Sequence, residues 1–229
     1  MSSAETYGLP GWRGGFQIGV SLGAGAFALA VSFGAFATLH GWPPLAVIAM
    51  SVVVFSGSAQ FALVTSMAGG AGLSTGLTAA ALINTRFIPM AAASASSLHG
   101  SRLRRALEGQ AVVDGSWVSA QRPDGGVDRE KMIGATLVQW PAWILGTAIG
   151  AIFVPSTEFI HAAGLDLIFP CFFLLLLLDA LRSRADHRLV AAAAVVIAAG
   201  ACIVLPPGVA LLLCGVAAAL TNVPFGRRR

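Results

Sequence analysis

The sequence predicts an all-α integral membrane protein, a polytopic helix bundle of about seven transmembrane spans with an interrupted third span. Three observations carry this. Of the 229 residues 56% are hydrophobic and only 10% charged, with mean hydropathy +0.80, whereas about a quarter of an ordinary soluble domain is charged. Apolar stretches of about 20 residues recur along the chain, each long enough to cross roughly 30 Å of hydrocarbon at 1.5 Å per residue. All but Arg13 and Arg86 of the 14 Lys and Arg residues fall in three clusters: Arg102 to Lys131, Arg182 to Arg188, and Arg227 to Arg229.

The spans are read at about 16–39, 46–68, 73–99, 132–154, 165–181, 189–205 and 207–223, one transmembrane domain over 1–229 with 100–131 as a cytoplasmic or bundle-docked connection. The basic clusters then follow spans three, five and seven and share one face. The positive-inside rule makes that face cytoplasmic, which puts the C-terminus inside and the N-terminus outside. The first span is taken as a crossing and not a signal peptide, because its apolar run exceeds the roughly 7–15 residues of an h-region. Within it Gly15, Gly19 and Gly23 repeat every fourth position, as do Ala26, Ala30 and Gly34; small residues at this spacing let helices approach closely in lipid.

In the connection, the apolar middle of 103–121 is expected to form a helix packed on or dipping into the bundle, with RPDGGVD as a turn; whether it crosses the membrane stays open. Asp179, in LLLLLDAL, is expected to pair with nearby arginines at the interface. Spans six and seven, separated by Pro206-Pro207, carry almost nothing polar before Thr221 and Asn222 and are read as scaffold.

Several function classes are excluded. Cys171, Cys202 and Cys214 lie in apolar segments with no ligand spacing, so they are small hydrophobes and no metal site is expected. The histidines His40, His99, His161 and His187 all fall at span ends or in loops, and there is no HExxH, Walker or CxxC sequence. No enzyme chemistry and no cofactor are expected. The basic residues sit in connections beside the spans, which excludes a nucleic-acid surface and makes the lipid bilayer the expected partner.

Arg86 is the exception to the charge pattern. It lies near the middle of the third span, where an ionised side chain costs about 2.5–3.5 kcal/mol on insertion scales and is a functional candidate by default. Pro89 follows it and has no N–H for the carbonyl four residues earlier, that of Thr85, so an acceptor is freed and a break is expected beside Asn84 and Arg86. Broken helices near the midplane are how many secondary transporters present groups to substrates. Gln60 and Asn84 lie at similar depths on two spans joined near Ala71, so Ser56, Ser58, Gln60, Asn84 and Arg86 are predicted to meet. That set suits a carboxylate, Arg86 supplying paired donors and the amides orienting. Phe55, Phe61 and Phe87 are the predicted apolar pocket, and Asp114 is the candidate for a substrate ammonium or a coupling proton.

The block FSGSAQFALVTSMAGG, followed by the triplet Asn84-Thr85-Arg86 and later by GLDLIFPCFFLLLL, resembles the large subunit of the AzlC-type branched-chain amino-acid permeases over about residues 15–222. The resemblance implies a two-component exporter of branched-chain or other small amino acids in the bacterial inner membrane, working with a small hydrophobic AzlD-type subunit. Where that family carries Asp-Glu after the third span this chain has Asp114-Gly115, and Phe87 stands where histidine is common. Without an ATP-binding sequence, the proton motive force is the expected drive. A non-transporting scaffold and a channel-like facilitator are the alternatives.

Overall fold

The computed structural model describes residues 9–122 and 126–153, together with the helical positions Leu178, Val196, Ile197, Ala199, Gly200, Ala201 and Ile203. Apart from those positions, the expectations for spans 165–181, 189–205 and 207–223, for Asp179 and for the last two basic clusters lie outside the described residues. The described helices are α1 (Gly11–Leu39), α2 (Pro44–Val53), α3 (Gly57–Ala68), α4 (Leu73–Asn84), α5 (Phe87–Ser94), α6 (Arg102–Gly109), α7 (Asp114–Ser119) and α8 (Arg129–Ile152). Among the described residues there is no strand, only one antiparallel bridge between Gln121 and Val127. The chain divides into two compact units, Met1–Gly57 with Thr85–Ser156, and Ser58–Asn84 with Thr157–Arg229.

The first unit is built on α1 and α8, the two described helices long and apolar enough to cross a membrane. Their interface is lined by glycine because nothing larger fits. A methyl group on Gly15 would lie 2.5 Å from the Lys131 carbonyl oxygen, and one on Gly146 would lie 2.5 Å from that of Phe27. Gly19 and Gly23 face Ala135 and Val138 in the same way. Backbones brought this close gain dispersion along their whole length, the main attraction available where lipid is as apolar as the side chains. Near the far end Phe33 stacks on Trp143 with ring centroids 6.2 Å apart, and both are buried.

The contacts rise together along both helices, from Gly15 with Lys131 to Gly34 with Ala151, so α1 and α8 run parallel. Asp128 fixes their shared start. Its carboxylate accepts from Gly11 N (2.8 Å) and, as the α8 N-cap, from Lys131 N (3.0 Å), so one side chain satisfies a donor at each of two helix N-termini.

The seven-span reading placed the N-terminus and the 100–131 connection on opposite faces, whereas Gly11 and Asp128 lie at one rim of the α1–α8 pair, so the chain has to return from the far rim, at Leu39, to the rim where Arg129 starts α8.

The residues of the first unit that make this return are in two pieces. α2 starts at the far rim with Pro44 at N1, and its Ser51 hydroxyl hydrogen-bonds Thr147 at 2.9 Å. It then stops, and Val54, Phe55 and Ser56 are not helical, so the predicted span 46–68 is broken. Three consecutive valines stiffen the chain against a helix, and beyond them Gly57 lies so close to the Trp143 ring that a methyl group there would overlap it. The second piece, α5, carries the chain on to Leu98, which packs with Met132 and Val127 near the first rim.

The third span is interrupted at Thr85–Arg86, beside the carbonyl that Pro89 was expected to leave without a helical donor. Pro89 is the third residue of α5, where its missing N–H has no intrahelical acceptor to leave unpaired, so a proline is tolerated there.

In the second unit the described residues form a hairpin of α3 and α4. Its turn is closed by Gly69 N to Thr65 O (2.9 Å), Gly70 N to Met67 O (3.0 Å) and Ala71 N to Ser66 O (3.0 Å), with Gly70 at φ +83°, a left-handed conformation that glycine adopts without strain. Gly76 lets α4 approach Leu63 on α3.

Candidate functional site

The site is carried by the connection between α5 and α8, which dips into the first unit and comes out again. α6 begins at Ser101, whose hydroxyl accepts from Arg104 N (3.3 Å), and it ends pinned to the start of α8. There Glu108 accepts from Arg129 Nε at 2.8 Å, from Arg129 Nη2, and from Arg104 Nε at 2.8 Å. The hydrogen bond from Arg129 is the largest cause that draws the Glu108 carboxyl down to about 2 from the usual 4.5; partial burial opposes it, and Arg104 adds to it.

From Glu108 the chain goes inward. Ala111 and Val112 are buried, and the Ala111 carbonyl accepts from Ser116 Oγ (2.7 Å) and Thr136 Oγ1 (3.2 Å). Irregular backbone at this depth has to be satisfied by protein in this way. α7 starts at Asp114, and Gly115 lies against Leu22 of α1 and Gln139 of α8. The chain then returns: Asp128 N donates to Ala120 O (2.8 Å) and Arg122 N to Gly126 O (2.9 Å), on either side of residues 123–125 of the expected RPDGGVD turn, which lie outside the described residues. Gln139 comes ten residues after Arg129, so the tip of this re-entrant segment lies roughly 15 Å along α8 from its start, near the middle of that helix.

Arg86 and Asp114 meet there. Arg86 Nε donates to Asp114 Oδ1 at 3.0 Å and Nη2 to Oδ2 at 2.7 Å, a two-point guanidinium–carboxylate pair of the strongest hydrogen-bonding kind. The Arg86 guanidinium also lies over the Phe87 ring, 4.6 Å from its centroid. Arg86 is thus neutralised by Asp114, the carboxylate expected to take a substrate ammonium or a coupling proton. The pair is not sealed: the Arg86 side chain is 34% exposed and that of Asp114 56%.

The residues predicted for the site divide between the units. Phe55, Ser56, Arg86, Phe87 and Asp114 belong to the first, and Ser58, Gln60, Phe61 and Asn84 to the second. In the first unit Arg86, Phe87 and Asp114 come together, Ser56 is buried in the non-helical gap, and Phe55 lines a cavity of about 480 Å³ with Val52, Thr136, Leu137 and Trp140. In the second, Gln60 and Phe61 are buried on α3 and Asn84 ends α4.

Sequence reasoning missed Gln139, which is buried in α8 with no hydrogen-bond partner for its Nε2. A lone glutamine inside GATLVQWPAWIL was the signal for it. It also missed the Glu108, Arg104 and Arg129 cluster, in which Arg104 and Glu108 are one turn apart on α6 and look like surface charge, while Arg129 lies 21 residues further on. Among the described residues no group of His, Cys, Asp and Glu is placed to hold a metal.

The AzlC protein family matches residues 21–156. An uncharacterized membrane protein of Helicobacter pylori, strain J99, is 22% identical over 183 residues, which cover 79% of this chain and 80% of that protein. No solved structure matches. With an Arg–Asp pair at the depth of a broken helix and a re-entrant one, and with a family match over more than half its length, the chain belongs to the AzlC family of membrane permeases.

Proposed function

We propose that the protein is the large subunit of a two-component secondary transporter that exports small amino acids with aliphatic side chains, coupled to the proton motive force. The observation that carries the proposal is the open Arg86–Asp114 pair. A zwitterion supplies both complements of such a pair, its carboxylate for Arg86 and its ammonium for Asp114, so it exchanges one ion pair for two without leaving a charge uncompensated. The Phe87 face holds the guanidinium in place while this happens, and the apolar cavity beside Phe55, at the level of Thr136 to Trp140 on α8, is of a size to take a small aliphatic group. Asp114 is the alternative carrier of the coupling proton. One charge moved through 100 mV is worth about 2.3 kcal/mol, enough for roughly a 40-fold gradient. The small hydrophobic AzlD-type subunit and the bacterial inner membrane are part of the proposal and rest on the resemblance to the AzlC-type permeases alone.

A scaffold reading is favoured by the same two-point geometry, since such a pair also pins helices. Arg86→Lys separates the two. It keeps the charge and loses the paired donors, so uphill amino-acid export from loaded vesicles is expected to fall at least 10-fold while the complex with the small subunit still purifies intact. Normal export in Arg86→Lys and in Asp114→Asn overturns the transport site, and loss of the complex in Arg86→Lys favours the scaffold. Flux that runs only downhill favours a facilitator.

A further inference from the structure

The groove between α5 and α6, at the rim where α1 and α8 begin, has a polar end and an apolar floor. Its volume is about 290 Å³; Arg102 and Arg105 stand on one wall, and Ala91, Ala95 and Leu98 form the other. No acidic residue is among its described lining residues. Arg105 Nη2 donates to the Ala95 carbonyl at 3.3 Å, which fixes that guanidinium over the groove and leaves most of its five N–H groups for another acceptor. The floor descends along α5 from the rim toward the depth of Arg86.

α6 itself is strongly amphipathic. Leu103 and Leu107, four residues apart on one face, are 73% and 66% exposed, and Arg102 and Arg104 flank that face. A helix with exposed leucines bordered by arginines is stable lying in the headgroup layer, its apolar side toward the acyl chains and its cations toward phosphates.

We propose that this groove binds an anionic phospholipid, its phosphate held between Arg102 and Arg105 and one acyl chain lying along Ala91, Ala95 and Leu98. The charge of the walls selects the headgroup, and the floor selects a lipid over a free anion, because a phosphate without a chain gains nothing from three apolar side chains. The inference stands apart from the transport reading and needs no substrate.

The test uses the full chain in phosphatidylcholine nanodiscs with increasing phosphatidylglycerol, with retained lipids counted by native mass spectrometry. Wild type is expected to retain phosphatidylglycerol in preference to phosphatidylcholine. An arginine near an anionic surface is worth about 1 kcal/mol, so Arg102→Gln and Arg105→Gln each weaken retention about five-fold and together about 30-fold. Ala95→Trp, which keeps every charge and fills the floor, also abolishes it. Arg13→Gln removes one exposed charge at the same rim and leaves retention unchanged. Equal retention of the two lipids, an Arg13→Gln loss as large as that of Arg102→Gln, displacement of the lipid by millimolar inorganic phosphate, or occupation of the groove by a co-purifying protein would each overturn the proposal.

Discussion

Replacing Gly15 by alanine should loosen the α1–α8 pair, while the same change at Gly25 should not. A methyl group on Gly15 would lie 2.5 Å from Lys131 O, 3.0 Å from Gly134 Cα and 3.1 Å from Ala135 N, all backbone atoms, whereas ordinary contact begins at 3.4 Å. The helices must therefore part locally by nearly an ångström, and a gap of that order forfeits about a quarter to a half of each dispersion contact. Overpacking of this kind typically costs about 1–3 kcal/mol, which for a chain of this length lowers the unfolding midpoint by roughly 2–12 °C. Gly25 lies on the same helix with nothing within 4 Å, so Gly25→Ala keeps or raises the midpoint through helix propensity alone, by up to about 1 kcal/mol. The assay is the thermal midpoint of the two detergent-solubilised variants, followed by tryptophan fluorescence. Equal midpoints would refute the close backbone approach and with it the parallel pairing.

The direction of the pair is tested by labelling from outside intact cells and inverted vesicles with a membrane-impermeant maleimide. Arg13→Cys and Gln121→Cys are expected to react from the same side, and His40→Cys from the other; reaction of Arg13→Cys and Gln121→Cys from opposite sides would refute the parallel pairing of α1 and α8. Acid should act through Glu108. Its folded-state value of about 2 is below the usual 4.5, so its contribution is complete above pH 4.5 and is lost as pH falls toward about 2. Thermal midpoints measured between pH 6 and 3 should decline in wild type and decline less in Glu108→Gln, and identical slopes would show that the carboxylate is not held by Arg129.

Much of the fold was legible where length and composition decide it. α1 and α8 followed from apolar runs of sufficient length, and the glycine repeat of α1 was read as a packing face, which its contacts with α8 show it to be. The direction of the helices was not legible. Hydropathy marks where a chain is apolar, and a half-helix, a re-entrant segment and a full crossing are apolar for the same reason. The gap at Val54–Ser56 was hidden in this way, since what stops α2 there includes a tryptophan about 90 residues further on. The break beside Arg86 was legible from Pro89, whose missing N–H would leave the Thr85 carbonyl of a continuous helix without its donor. Asp114 was legible as a charged candidate but not as the partner of Arg86. What brings the two together is the inward course of 110–113, and its support by Thr136 and Ser116 is a tertiary fact.

The clamp at Asp128 joins residues 117 positions apart in the chain, and this sets a schedule for biogenesis. At about 5–20 residues per second, α1 leaves the ribosome roughly 6–23 s before its partner helix exists. For that interval its glycine-lined groove is bordered by lipid or by the insertion machinery, so the unit closes only after α8 has been delivered, and a chain cut short before Arg129 would leave α1 without its mate.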